Sequence, residues 1–153
     1  MGKAIVSVIL GYVVMAATVF ITFTLAYLVM GANGAFKPGT YDVSTTWVVI
    51  SIVLSIVAAI AGGFVCAAVA KSPRPPKVLA AVVLILGMLL TIPSLTRDEV
   101  QPVARAAEIG NFEAMQDSQQ PLWITLLNPL IGAVGVLVGA GLVIQSRVQP
   151  NVD

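Results

Sequence analysis

The sequence has no histidine and only one cysteine, Cys66, among its 153 residues. Histidine is the side chain that most often serves as a general acid or base near neutral pH and as a metal ligand. A single cysteine can form neither an intrachain disulfide bond nor a CxxC redox pair. Cys66 lies among apolar residues, where a thiol usually behaves as an inert small hydrophobe. We therefore predict a protein that is not an enzyme, with no catalytic residue, no metal site and no cofactor.

Charge is also scarce, because charged residues make up only 10% of the chain and hydrophobic residues make up 58%. Soluble domains carry about 25% charged residues to cover their surface. The mean hydropathy of +0.99 excludes both a water-soluble globule and a disordered chain. The net charge of +1 creates no field that would attract nucleic acid, so we predict no nucleic-acid partner. This composition is typical of a protein embedded in a lipid bilayer.

Four apolar stretches are long enough to cross a bilayer as helices, which takes about 20 residues each. They cover residues 4–30, 46–70, 76–92 and 122–144, and Lys77 is the only charged residue within them. A backbone in lipid must satisfy its own hydrogen bonds, and these stretches lack the alternation of barrel strands, so helices are expected. We predict an all-α integral membrane protein, a single domain of four transmembrane helices in an antiparallel bundle.

The connections between these helices are an outer loop over 31–45, an inner loop over 71–75 and a second outer loop over 93–121. Pro102 and Asn111 in the second outer loop are suited to opening short helices that end near Gly110 and Gln119. We predict one or two short amphipathic helices there. This loop is either a contact site for an outside partner or a solvated cover for the bundle.

Basic residues predict which side of the membrane each connection faces, because lysine and arginine favour the cytoplasm. One side would carry Lys3, Lys71, Arg74, Lys77 and Arg147, and the other Lys37, Arg97 and Arg105. We therefore predict a multi-pass protein of the plasma membrane, the inner membrane in a bacterium, with both termini in the cytoplasm. Lys71, Arg74 and Lys77 would either contact lipid headgroups or simply fix this topology.

The second span carries small residues at every fourth position. Ser51, Ser55, Ala59, Gly63 and Ala67 form one row, with Ala58, Gly62, Cys66 and Ala70 beside it. Positions four apart share one helix face, and small residues let membrane helices approach closely. The fourth span has a similar edge at Gly132, Gly135 and Gly139. These residues are our predicted packing sites, either inside one bundle or against another protein chain.

The fourth span also contains an unusual polar pair, Asn128-Pro129. Pro129 has no backbone N–H, so it leaves the carbonyl of Thr125 without its helical partner. Asn128 brings an amide that needs hydrogen-bond partners at membrane depth. The pair is either a kink satisfied by neighbouring helices or a hinge in a polar path that would also use Thr18, Thr22, Ser51, Ser55 and Thr125.

The absence of any acid or histidine in the spans disfavours a proton-coupled carrier. Our first functional hypothesis is a non-enzymatic membrane protein that acts by helix association, as an accessory or stabilising subunit or as a homo-oligomer. Its partners would be the lipid bilayer and either copies of itself or a larger membrane complex. The alternative is a small transporter or channel for a neutral or weakly polar solute.

Overall fold

The computed structural model describes residues 2–95 and 118–148, which form four long α-helices and two isolated β-bridges. The helices are α1 (Gly2–Ala35), α2 (Thr45–Ala70), α3 (Arg74–Leu95) and α4 (Leu122–Val148). All four are long and apolar enough to cross a membrane, so the prediction of an all-α protein with four such helices is confirmed. Each observed helix contains the corresponding predicted span. The short helices predicted between 102 and 119 lie outside the described residues, except that Gln119 pairs with the backbone near Asp42.

Local sequence explains where α1 ends and where α2 begins and ends. Gly31 has φ 64°, a conformation that glycine adopts without steric cost, and it kinks α1 near its end. Ser44 caps α2, because its hydroxyl accepts the Trp47 N–H at 3.1 Å and donates to the Gly34 carbonyl at 2.6 Å. Lys71 ends α2 in the left-handed conformation, with its N–H on the Ala67 carbonyl at 3.1 Å.

The helices do not contact one another equally. α2 packs extensively against both α1 and α4, while α3 packs extensively against α4 and only lightly against α1 and α2. Across the described residues the backbones of α1 and α4 do not come close, although Ile124 of α4 belongs to the same buried cluster as Tyr27 of α1. The result is a cleft between α1 and α3, with α2 and α4 behind it.

Aromatic residues close the end of the protein that carries residues 36–44, which we call the 36–44 end. Tyr27, Phe36 and Trp47 form edge-to-face pairs with ring centroids 6.2–6.5 Å apart, and Phe23 and Tyr41 extend the cluster. The backbone of residues 41–43 also exchanges hydrogen bonds with Gln119, just before α4. This end is therefore held by rings and backbone pairing as well as by the helices.

The opposite end, at residues 71–73, depends on smaller contacts. Ala67 of α2 packs against Ala140 and Val143 of α4. The guanidinium of Arg147 donates to the Ala68 carbonyl at 3.2 Å. A cation at this place suits the negative end of the α2 dipole, so the last turn of α4 fixes the last turn of α2.

Candidate binding cavity

The two small-residue rows of α2 contact different neighbours within the same chain. Gly62 and Cys66 face α1, and Cys66 also belongs to a buried cluster with Leu79 of α3. Ala59 and Gly63, in the other row, face α4. At these four residues the rows are therefore covered by helices of this chain, whereas Ser55, in the same row as Ala59, lines a cavity.

The contact between α2 and α4 is made at the backbone. A Cβ atom added to Gly63 would lie 2.7 Å from the Val136 Cα, and one added to Gly139 would lie 2.9 Å from the Ile60 Cα. A Cβ on Gly135 would lie 2.6 Å from the Ala59 Cβ. Real Cβ atoms do not approach other heavy atoms this closely, so these glycines set the distance between the two helices.

The contact between α1 and α2 depends on a residue that the sequence analysis did not identify. Gly11 lies against Gly62, and a Cβ on either would come within 2.7–2.8 Å of the other's carbonyl oxygen. Ser7, one turn earlier, is fully buried and is a hydrogen-bond neighbour of Cys66. The four-residue spacing of Ser7 and Gly11 is the same signal that marked α2, and it could have located this contact.

The contact between α3 and α4 involves Pro129. Gly87 makes room for the proline ring, because a Cβ there would lie 2.7 Å from the Pro129 Cβ. The hydroxyl of Thr91 donates to its own helix at the Gly87 carbonyl, 2.9 Å away, and also approaches the Thr125 carbonyl at 3.3 Å. Thr125 is the residue whose carbonyl Pro129 leaves without a helical donor. Thr91, which the sequence analysis did not single out, thus compensates for the proline.

A cavity of about 310 Å³ lies in the cleft between α1 and α3. Polar side chains in its lining are Tyr12, Ser55, Thr91, Thr125 and Asn128, and most of the lining surface is apolar. The apolar walls include Met15 and Val19 of α1 and Val83, Leu86 and Leu90 of α3. Leu90 is 75% exposed and Leu86 is 40% exposed, so the mouth of the cavity is on the surface of the helices. In a membrane this mouth would face lipid.

Asn128 presents a polar atom that the described residues leave unsatisfied. Its Oδ1 is buried and accepts no hydrogen bond from any described group. A buried acceptor without a donor costs about 1–3 kcal/mol. The cavity next to it is large enough for a ligand at the small end of the usual range, about 300–1,000 Å³. A donor placed in this cavity would remove that cost.

The remaining residues of the predicted polar path bond to their own helices. The hydroxyls of Thr18 and Thr22 donate to carbonyls one turn earlier, at 2.8 and 2.7 Å. Ser51 is buried and donates to the Val48 carbonyl at 2.8 Å. The cavity lining brings together Ser55, Thr125, Asn128 and Pro129, but not Thr18, Thr22 or Ser51.

The three predicted headgroup residues differ in their surroundings. Lys71, Arg74 and Lys77 are all exposed. Arg74 borders an apolar groove between the first turns of α1 and α3, and Lys71 and Lys77 are not part of its lining. The three residues share a positive charge, but Arg74 differs from the other two by its position beside this groove.

Comparisons with protein-family models, with curated proteins and with solved structures gave no match. The class of the protein therefore comes from its own helices. Four helices long and apolar enough to span a bilayer define a multi-pass membrane protein.

Proposed function

We propose that this chain binds a small, neutral, weakly polar molecule within the bilayer, in the cavity between α1 and α3. The observation that carries the proposal is the buried, unpartnered Oδ1 of Asn128 beside that cavity. An apolar cavity with a few placed polar groups is the usual form of a small-molecule site. This proposal develops the alternative predicted from the sequence, because binding is the first step of solute transport.

The chemistry of the lining limits the ligand. The walls are mostly apolar, so the ligand must present mainly hydrocarbon. An amide oxygen accepts hydrogen bonds, so the ligand needs a hydroxyl or N–H donor. A charged ligand would lose its hydration without a counter-ion in the lining, which is costly in a medium of low dielectric. Long-chain alcohols and related neutral amphiphiles meet these conditions and could enter sideways from the lipid.

Replacing Asn128 with leucine should weaken binding without weakening the fold. We expect photolabelling of the cavity by a diazirine-bearing octanol to fall about three- to tenfold, the value of one net hydrogen bond. The free energy of unfolding should stay equal or rise by about 1 kcal/mol, because a buried amide oxygen without a partner is removed. Mass spectrometry of the labelled peptides and unfolding in detergent measure the two effects.

Two controls sharpen this experiment. The methyl ether of the same diazirine alcohol lacks the donor, so it should label wild type weakly and be insensitive to Asn128→Leu. Thr91→Val changes a neighbouring polar group, but it should destabilise the fold because the Thr125 carbonyl loses a donor. Equal labelling by alcohol and ether, or unchanged labelling of Asn128→Leu, would remove the basis of the proposal.

The membrane arrangement that goes with this function is an antiparallel bundle with both termini in the cytoplasm of a plasma membrane, the inner membrane in a bacterium. The contacts between α3 and α4 support the antiparallel arrangement. Val83 lies opposite Gly132 and Gly87 lies opposite Pro129, so residue numbers decrease along α4 as they increase along α3. The excess of basic residues on the side of both termini supports the orientation.

A cysteine-labelling experiment tests that orientation. In a Cys66→Ser background, we expect a membrane-impermeant maleimide to label Thr40→Cys on intact cells. Ser72→Cys, in the turn between α2 and α3, should react only after the cells are opened. Labelling of Ser72→Cys on intact cells, with Thr40→Cys protected, would reverse the assignment.

Association with another membrane protein, or with further copies of this chain, is the second proposed function. An apolar groove of about 380 Å³ between α2 and α4 favours it, with walls that include Ile56, Ile60, Leu130 and Val134. The small-residue rows are occupied inside the chain, so a partner helix would bind this groove instead. Light scattering of the protein in mild detergent, together with mass spectrometry of co-purified subunits, distinguishes a solitary chain from a subunit.

A further inference from the structure

A second groove lies at the 71–73 end of the protein, away from the cavity. It has a volume of about 310 Å³ and lies between the first turns of α1 and α3. Its walls are Ala4, Ile5, Val8 and Ile9 from α1 and Pro75 and Val78 from α3, and Arg74 stands at its edge. Ile5, Ile9 and Val78 are each more than half exposed, so the groove is open on the helix surface.

Arg74 has no carboxylate near it among the described residues. The one described carboxylate is Asp42, which pairs with Lys37 at 3.5 Å. Asp42 and Arg74 are separated by the whole of α2, whose 26 residues span roughly 39 Å. Lys3 and Lys77 are exposed and adjacent in sequence to groove residues, so further positive charge surrounds this edge. The edge of the groove therefore attracts an anion.

The proline pair at the start of α3 helps to shape this site. Pro75 and Pro76 are buried in the first turn of α3, where their fixed φ suits the helix and their missing N–H groups are not needed. Pro75 forms part of the groove wall. Because this wall is already rigid, it loses little conformational entropy when a ligand binds.

We propose that this groove is a binding site for one anionic phospholipid, with its phosphate on Arg74 and one acyl chain along the apolar walls. An anionic phospholipid combines the two features that the site presents, a negative headgroup and a long apolar chain. The site uses residues different from those of the Asn128 cavity, so either proposal can fail without the other.

The test is lipid retention measured by native mass spectrometry of the detergent-purified full chain. Phosphatidylglycerol and phosphatidylcholine with identical acyl chains are added in equal amounts. Wild type should retain phosphatidylglycerol in preference to phosphatidylcholine. Arg74→Gln should reduce that preference about fivefold, the contribution of one basic residue at a membrane surface. Lys71→Gln, a matched loss of charge outside the groove, should leave it almost unchanged.

A second variant distinguishes the contribution of the apolar groove to lipid binding from that of the charge. Val78→Trp would fill the groove and should lower retention of both lipids, with its unfolding in lipid-free detergent checked against wild type. Equal losses for Arg74→Gln and Lys71→Gln would overturn the proposal, because they would indicate a diffuse basic surface. Competition by inorganic phosphate as effective as that by phosphatidylglycerol would also overturn it, because the acyl groove would then contribute nothing.

Discussion

Leucine at position 63 should force α2 and α4 apart and strongly destabilise the protein. The Gly63 Cα faces the Val136 backbone so closely that even a Cβ would lie 2.7 Å from two of its backbone atoms. Backbone cannot rotate away as a side chain can, so the helices must separate. Overpacking a tight site costs about 1–3 kcal/mol or more, and we expect a loss of about 3 kcal/mol in the free energy of unfolding. Unfolding in detergent measures it.

Gly141→Leu is the matched control for this experiment. Gly141 lies on α4, and a Cβ there would meet no atom within 4 Å. The same glycine-to-leucine change should therefore alter the unfolding free energy by less than about 0.5 kcal/mol. If Gly63→Leu inserts, assembles and melts like wild type, the close contact of α2 with α4 does not hold the protein together.

Gly11→Leu should detach α1 from α2 and expose Cys66. A Cβ at Gly11 would lie 2.8 Å from the Cys66 Cβ, the Gly62 carbonyl oxygen and the Leu79 Cδ2 at once. α1 packs extensively only on α2 and lightly on α3, so the loss of the α2 contact leaves it weakly held. We expect a loss of about 2 kcal/mol in the free energy of unfolding. We also expect Cys66, which is fully buried in wild type, to react several-fold faster with N-ethylmaleimide.

The cysteine makes this second result specific, because it is the only thiol in the chain. Ala16→Leu adds a similar bulk on an exposed face of α1 and should leave both stability and the labelling rate of Cys66 unchanged. A labelling rate in Gly11→Leu equal to that of wild type would mean that α1 reaches α2 through other residues. The Asn128 cavity would then have to be reconsidered, since α1 forms one of its walls.

Some of the candidate site could be read from the sequence, and some could not. Asn128 and Pro129 were visible because a polar amide and a missing N–H inside an apolar run are local facts. Thr91 and Gly87 were not visible, because their importance comes only from lying opposite Pro129. Thr18 and Thr22 were grouped with the polar path by residue type, but their hydroxyls have carbonyl partners within α1.

The sequence by itself determined the four helices, their approximate ends and the small rows on α2. Each of these follows from hydropathy, proline, glycine and four-residue spacing, which are properties of neighbouring residues along the chain. Only the tertiary structure decided that one row meets α1 and the other meets α4, that α1 and α3 leave a cavity, and that Arg74 borders a groove. Lipid is as apolar as the helix surfaces, so hydrophobicity does not select which helices meet. Close fit between particular residues does.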